Sequence, residues 1–209
     1  MELGVILSFI GAAVILSLMP GPDNLFVLIE SLTKGPKNGI AISVGLGLGV
    51  LIHTLAAATG LSIIIQKSAI AFSIVKYFGA FYLFYLAFTA YKEKQVDLKF
   101  HTTKNRDEVR VIHLIRKGFL MNVLNPKVSL FFIAFLPQFV TGNGYNVTVQ
   151  MILLGVIFMI QALLIFGLVA VLSGRLTKYV NNPRFWKIAK WGKVSALSVL
   201  GLTLAVSRR

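Results

Sequence analysis

From Asn38 to Gln66 the chain runs for 29 residues without one charged side chain. A helix rises about 1.5 Å per residue, so roughly 20 apolar residues cross a hydrocarbon core of about 30 Å. Inside a bilayer every backbone polar group must find its partner within the protein, which leaves helix as the default for such a stretch. The segment therefore predicts a transmembrane helix. The pattern recurs along the sequence. Span 1 is expected at about 4–29, span 3 at about 69–91, span 4 at 118–140 with Lys127 interrupting it, and span 5 at about 149–173. A polar turn over 141–148 separates spans 4 and 5. The last segment, about 190–207, is the weakest. Only 14 residues, Val194 to Ser207, are free of charge. It spans if Lys190 and Lys193 snorkel and Trp191 sits at the interface. Six spans are predicted, with five as the alternative.

Composition agrees. The chain of 209 residues is 56% hydrophobic and 13% charged, against about 25% charged in soluble domains, and its mean hydropathy is +0.81. Disorder is excluded by the same figures. The only charge ahead of the first apolar run is Glu2, so the start lacks the basic region of a signal peptide. The absence of cysteine excludes disulfides, thiolate catalysis and cysteine metal sites.

The net charge of +14 comes from 21 basic and 7 acidic residues. Six spans put 16 of the 21 on one side, in loops 30–38, 92–117 and 175–193. That side should be cytoplasmic, with both termini outside. The 175–193 segment mixes basic residues with Leu176, Tyr179, Phe185, Trp186 and Trp191. It reads as an interfacial stretch on anionic lipid rather than a nucleic-acid surface.

Two segments resemble each other. Ser17-Leu-Met-Pro-Gly-Pro-Asp-Asn-Leu-Phe26 lies in span 1, and Met121-Asn-Val-Leu-Asn-Pro-Lys-Val-Ser-Leu130 in span 4. Superposing Pro22 on Pro126 gives an offset of 104, about half the chain. The expected architecture is all-helical: one transmembrane domain of two three-helix repeats, about 1–92 and 116–209, joined by a cytoplasmic linker at about 93–115. An odd number of spans per half forces opposite orientations, the arrangement of inverted-repeat secondary transporters.

Proline removes a backbone donor and clashes with the carbonyl four residues earlier. Pro20-Gly21-Pro22 should therefore break span 1, and Asn125-Pro126 should break span 4 more mildly. Carbonyls freed at membrane depth must face protein or a wet cavity. A charge follows each break, Asp23 and Lys127. An ionisable group near the bilayer centre costs about 2.5–3.5 kcal/mol on insertion scales, so both need partners. One reading is a fixed ion pair locking the halves together. The other is a substrate or ion site near the midplane.

Asn24, Asn122 and Asn125 flank the breaks and can line the same cavity. Gln161 in span 5 and His53 in span 2 are further candidates, each with an ordinary packing role as its alternative. Gly45-x-Gly47-x-Gly49 lies inside an uncharged span and lacks the following acidic residue of a nucleotide loop. Gly45 and Gly49 form instead a GxxxG face for close helix packing. Phe78, Phe81, Tyr82, Tyr85 and Phe88 have helical spacing and predict a packing face. No hydrolase, phosphate-loop or paired-carboxylate signature is present, and Asp23 is the only acidic residue expected deep in a span. The residues imply no enzyme, no cofactor and no metal site.

Pro20-Gly21-Pro22 in span 1, with Gly118, Asn122 and Asn125-Pro126-Lys127 in span 4, resembles the LysE/RhtB amino-acid exporters. Length, six hydrophobic segments and a basic central linker agree, so the resemblance covers essentially the whole chain. It implies a multi-pass protein of the bacterial inner membrane. It also implies export of an amino acid or derivative, driven by the proton-motive force. The residues suggest how. Asp23 can accept the ammonium of a zwitterion while Lys127 faces its carboxylate, with amides and carbonyls of the broken helices adding bonds. In the empty carrier the two side chains are expected to pair with each other. Asp23 is also the candidate proton carrier. Membrane lipid is an expected partner, nucleic acid is not, and a homodimer is left open. The rival readings are a metal-ion exporter, which needs clustered ligands, and a membrane scaffold that transports nothing.

Overall fold

The computed structural model describes residues 1–63, 68–93, 110–142, 144–180 and 182–206, with the backbone alone at 177–180. Among the described residues there are helices and no strand. Helix α1 covers Leu3–Leu18 and α2 Pro22–Lys34; the two meet at a 59° bend. Helix α3, Pro36–Ala56, continues into a π-helical turn at Ala57–Leu61. Helix α4 is Ala69–Lys92. Helix α5, Val111–Val123, bends by 49° into α6, Pro126–Leu130, which runs on through a π-turn at Phe131–Phe135 and a 3-10 turn at Leu136–Phe139. Helices α7, Val147–Val180, and α8, Pro183–Val206, complete the chain. Four of these are long and apolar enough to cross a membrane alone, and counting each bent pair as one span gives six.

The same order, a bent pair followed by two long helices, occurs twice. Packing is reciprocal between the halves. Helix α3 of the first half lies against α5 of the second, and α7 of the second lies against α1 and α2 of the first. Equivalent helices also meet each other, α3 with α7 and α4 with α8. The α3–α5 contact is the most extensive, and small residues permit it. A Cβ on Gly45 would strike the Ile115 carbonyl, and one on Gly118 would strike the Ile42 carbonyl. A Cβ on Gly49 would lie 2.7 Å from that of Asn122. The expected GxxxG face is thus present, and Gly118 is its counterpart. Gly35 joins α2 to α3 at φ 98°, a conformation that favours glycine.

Several expectations are corrected. The aromatic stripe does not pack: Phe78, Phe81, Tyr85 and Phe88 lie on the outer surface. Helix α4 instead buries Phe72 near its start and, along the rest of its length, Gly79, Ala80, Leu83, Ala87 and Ala90. Large apolar side chains lose nothing by facing lipid, so small residues make the contact. The 175–193 segment falls within two helices, α7 continuing to Val180 and α8 starting at Pro183. Starting there gives the last helix 24 residues, which removes its apparent shortfall. Lys190 donates to the Glu93 carbonyl at 2.8 Å and Lys193 to the Glu93 carboxylate at 2.7 Å, while Trp191 meets Tyr91 edge-on. The first bent pair extends to Lys34 and buries a second carboxylate, Glu30, paired with Lys34 at 3.2 Å. Span 4 starts earlier than expected, at Val111, and carries Lys117 over the Phe26 ring. Most of the expected linker, residues 94–109, lies outside the described residues.

Candidate functional site

Both prolines singled out by the repeat occupy the same place. Pro22 opens α2 and Pro126 opens α6. Proline suits the first position of a helix, where its missing N–H removes no intrahelical bond. Each break therefore has a C-terminal end of orphan carbonyls and an N-terminal end of orphan amides.

At the first break the carbonyls of α1 are held by side chains from elsewhere. The Lys127 ammonium donates to the Leu16 carbonyl at 3.1 Å and reaches that of Met19 at 3.5 Å. A cation at a helix C-terminus is also favoured by the helix dipole. Asn24 donates through Nδ2 to the carbonyls of Ser17 at 2.9 Å and Met19 at 3.2 Å. Gln161 from α7 donates through Nε2 to Ser17 Oγ at 2.9 Å. Gly21 is extended, at φ −163°, so its backbone does not demand glycine; the Lys127 ammonium is 3.6 Å from where its Cβ would be.

At the second break Asn125 caps α6, its Oδ1 accepting from the Lys127 amide at 3.0 Å. Its Nδ2 donates to Asp23 Oδ2 at 2.6 Å. His53 Nε2 lies 3.1 Å from the Asn122 carbonyl, and donation there fixes the proton on that nitrogen. The ring also sits against Phe132, with centroids 5.8 Å apart.

The breaks are thus stitched reciprocally. Asp23, opening the second half of break one, is bonded from break two. Lys127, opening the second half of break two, holds carbonyls of break one. The expected direct ion pair is absent: among the described residues the salt bridges are Lys34–Glu30 and Lys193–Glu93. Each break exposes polar groups that reach the opposite charge first. Asp23 is 2% exposed, and its place in the first turn of α2 suits a negative charge.

The structure brings Asp23, Asn24, Asn125, Lys127 and Gln161, with Pro20, Gly21, Pro22 and Pro126, around the two breaks. His53 and Asn122 pair with each other at the end of α5. Around the breaks, among the described residues, the buried oxygens Asn24 Oδ1, Asn122 Oδ1 and Gln161 Oε1 have no hydrogen-bond partner. Among the described residues no group of three potential metal ligands forms. Ser17 was not singled out by the sequence, although its hydroxyl and carbonyl receive Gln161 and Asn24. A hydroxyl one turn before a double-proline break was its signal.

A cavity of about 710 Å³ reaches the first break. Pro20, Gly21, Pro22 and Leu25 line it on one side, and Glu93, Pro183, Arg184, Trp186, Lys187, Lys190 and Lys193 on the other. The basic residues of the segment expected at the lipid surface thus also line this cavity.

Known proteins match the chain along most of its length. The family described as LysE type translocator matches residues 14–208. An uncharacterized membrane protein, YrhP, of Bacillus subtilis is 31% identical over 202 residues, covering 94% of this chain and 95% of its own. An uncharacterized membrane protein of Vibrio cholerae is 30% identical over 184 residues, covering 88% and 87%. No solved structure matches. A multi-pass helical chain with paired helix breaks, matched across nearly its whole length, belongs to the LysE-type translocator family.

Proposed function

We propose that this translocator exports an amino acid or amino-acid derivative across a bacterial inner membrane, driven by the proton-motive force. The observation that carries the reading is the reciprocal stitch. A buried carboxylate and an ammonium stand at two adjacent helix breaks, each held by groups that a zwitterion can replace. The substrate ammonium takes Asp23, supported by the unpartnered carboxamide oxygens of Asn24 and Gln161. Its carboxylate takes Lys127, which leaves the carbonyls of Leu16 and Met19. Substrate then neutralises both charges, and no net charge crosses with it. Asp23 stands as a carboxylate in the empty carrier seen here and carries the coupling proton only on the return step, taken up outside after substrate leaves and released inside before the next one binds. His53 and Asn122 steady the second break. The basic side is cytoplasmic and both termini face outward. The repeat boundaries at about 92 and 116, contact with membrane lipid and a homodimeric assembly belong to the same proposal.

The test is intracellular amino-acid accumulation during dipeptide feeding, with and without the protein expressed. The amino acid whose accumulation it relieves is the substrate. An uncoupler that collapses the proton gradient should abolish the relief. A non-transporting scaffold predicts no relief for any amino acid, and Asp23→Asn would then change stability alone. A metal-ion exporter predicts relief of metal toxicity instead.

A further inference from the structure

The cavity leading to the first break has a lopsided charge. Among the described residues four cations line it, Arg184, Lys187, Lys190 and Lys193, against one carboxylate, Glu93. Two of the four are engaged with that residue: Lys193 with its carboxylate at 2.7 Å and Lys190 with its carbonyl at 2.8 Å. The Arg184 guanidinium and the Lys187 ammonium have no hydrogen-bond or ion-pair partner among the described residues. Both belong to the first turns of α8 and face a space large enough for an amino acid, with the Pro20-Gly21-Pro22 break as its inner end.

A cleft lined by one sign of charge with low-dielectric walls raises the local concentration of the opposite charge and repels its own. We infer that this cavity is a charge filter, in which Arg184 and Lys187 recruit substrate by its carboxylates and exclude cationic amino acids. The inference rests on the export reading and narrows it. The substrates are amino acids of zero or negative net charge, anionic ones are captured fastest, and lysine-like ones are rejected before they reach Asp23. Trp186 and Leu25 supply apolar wall for the rest of the molecule. Glu93 is occupied by Lys193, so it offers little to a substrate ammonium.

The experiment is exchange of radiolabelled L-glutamate, L-leucine and L-lysine in proteoliposomes containing the full chain. The wild type should exchange lysine slowest, by about tenfold or more relative to glutamate, with the gap closing as salt is raised. The double reversal Arg184→Glu/Lys187→Glu should shift the glutamate-to-lysine rate ratio toward lysine by about tenfold or more. If the double reversal fails to fold, Lys187→Gln and the salt series on wild type carry the same comparison. A ratio unmoved by these changes, or lysine as the fastest substrate of the wild type, overturns the filter while export stands. Exchange of none of the three, together with no relief of any amino acid in the dipeptide-feeding assay, would defeat the export reading, and the filter would fall with it. Vesicles of phosphatidylcholine alone should show the same shift as vesicles containing phosphatidylglycerol. A shift confined to the anionic vesicles would mean that the two cations hold lipid headgroups, which overturns a role in substrate selection.

Discussion

Asp23 and Lys127 illustrate how two intramembrane charges are accommodated without touching. The Asp23 carboxylate is bonded by an amide N–H at 2.6 Å, and the Lys127 ammonium by a carbonyl at 3.1 Å. A hydrogen bond to a charged group contributes about 1.5–3 kcal/mol. A double-mutant cycle on Asp23→Asn and Asn125→Ala, read as detergent melting temperature, should therefore give coupling in that range. The Asp23→Ala and Lys127→Ala cycle should give the smaller value, because no direct bond joins them. A larger Asp23–Lys127 coupling would restore the direct pair. Export should be lost in both single variants of the second cycle and should not return in their double variant, since each end of the zwitterion has lost its countercharge. The presence of both charges at the breaks was legible in the sequence, because proline acts on the chain locally. Their partners were not. Asn125 and Asp23 lie 102 residues apart, and which neighbour reaches a charge first depends on how the halves pack.

Among the elements, the two bent spans and the α3–α5 contact define the machinery. Replacing Pro20 and Pro22 by alanine restores the missing donors and permits a continuous helix through Gly21. The double variant should insert and accumulate, yet export should fall, because the carbonyls that Lys127 and Asn24 hold become bonded within the helix. Normal export by this variant would make the break a tolerated kink. The α3–α5 contact gives a sharper structural test. Gly45→Ala places a Cβ against the Ile115 carbonyl and 2.8 Å from the Phe119 amide, and backbone cannot step aside as a side chain can. Its melting temperature should drop. Gly167→Ala, in α7 with nothing within 4 Å, should be neutral or stabilising by up to about 1 kcal/mol. The glycine face could be read from spacing because close approach demands small residues. The aromatic face of α4 misled because both of its sides are apolar, so periodicity does not separate lipid from protein. The last helix was underestimated for a related reason: Lys190 and Lys193 count against a span in a composition window, yet each has a partner at Glu93.

At the scale of the whole molecule, the reciprocal contacts of α3 with α5 and of α7 with α1 and α2 relate the halves to each other. If each half crosses three times, the halves run in opposite directions, yet the stitch between their breaks is not symmetric: Asp23 is bonded by a side-chain amide and Lys127 by backbone carbonyls. Such a molecule has two faces of different charge. The α2–α3 junction, the end of α4 and the start of α8 share the basic face, and the turn between α6 and α7 lies on the other. Lys37 and Gly142 are both exposed and suit probes of sidedness. Because the chain has no cysteine, single substitutions there report cleanly. Gly142→Cys should react with a membrane-impermeant maleimide on intact cells. Lys37→Cys should react only after permeabilisation, and a cysteine added after Arg209 should behave like Gly142→Cys. Lys37→Cys reacting first would reverse the orientation and place the cationic cavity outside, where it would serve uptake instead of export. A shielded C-terminal cysteine beside an accessible Gly142→Cys would mean that α8 does not cross. The same labelling, repeated on Gly21→Cys from each side, then follows the cavity itself. In the geometry seen here Gly21 is reached from the face that bears Arg184 and Lys187. Reactivity from that face should fall, and reactivity from the Gly142 face should rise, if the carrier alternates between its two halves during transport.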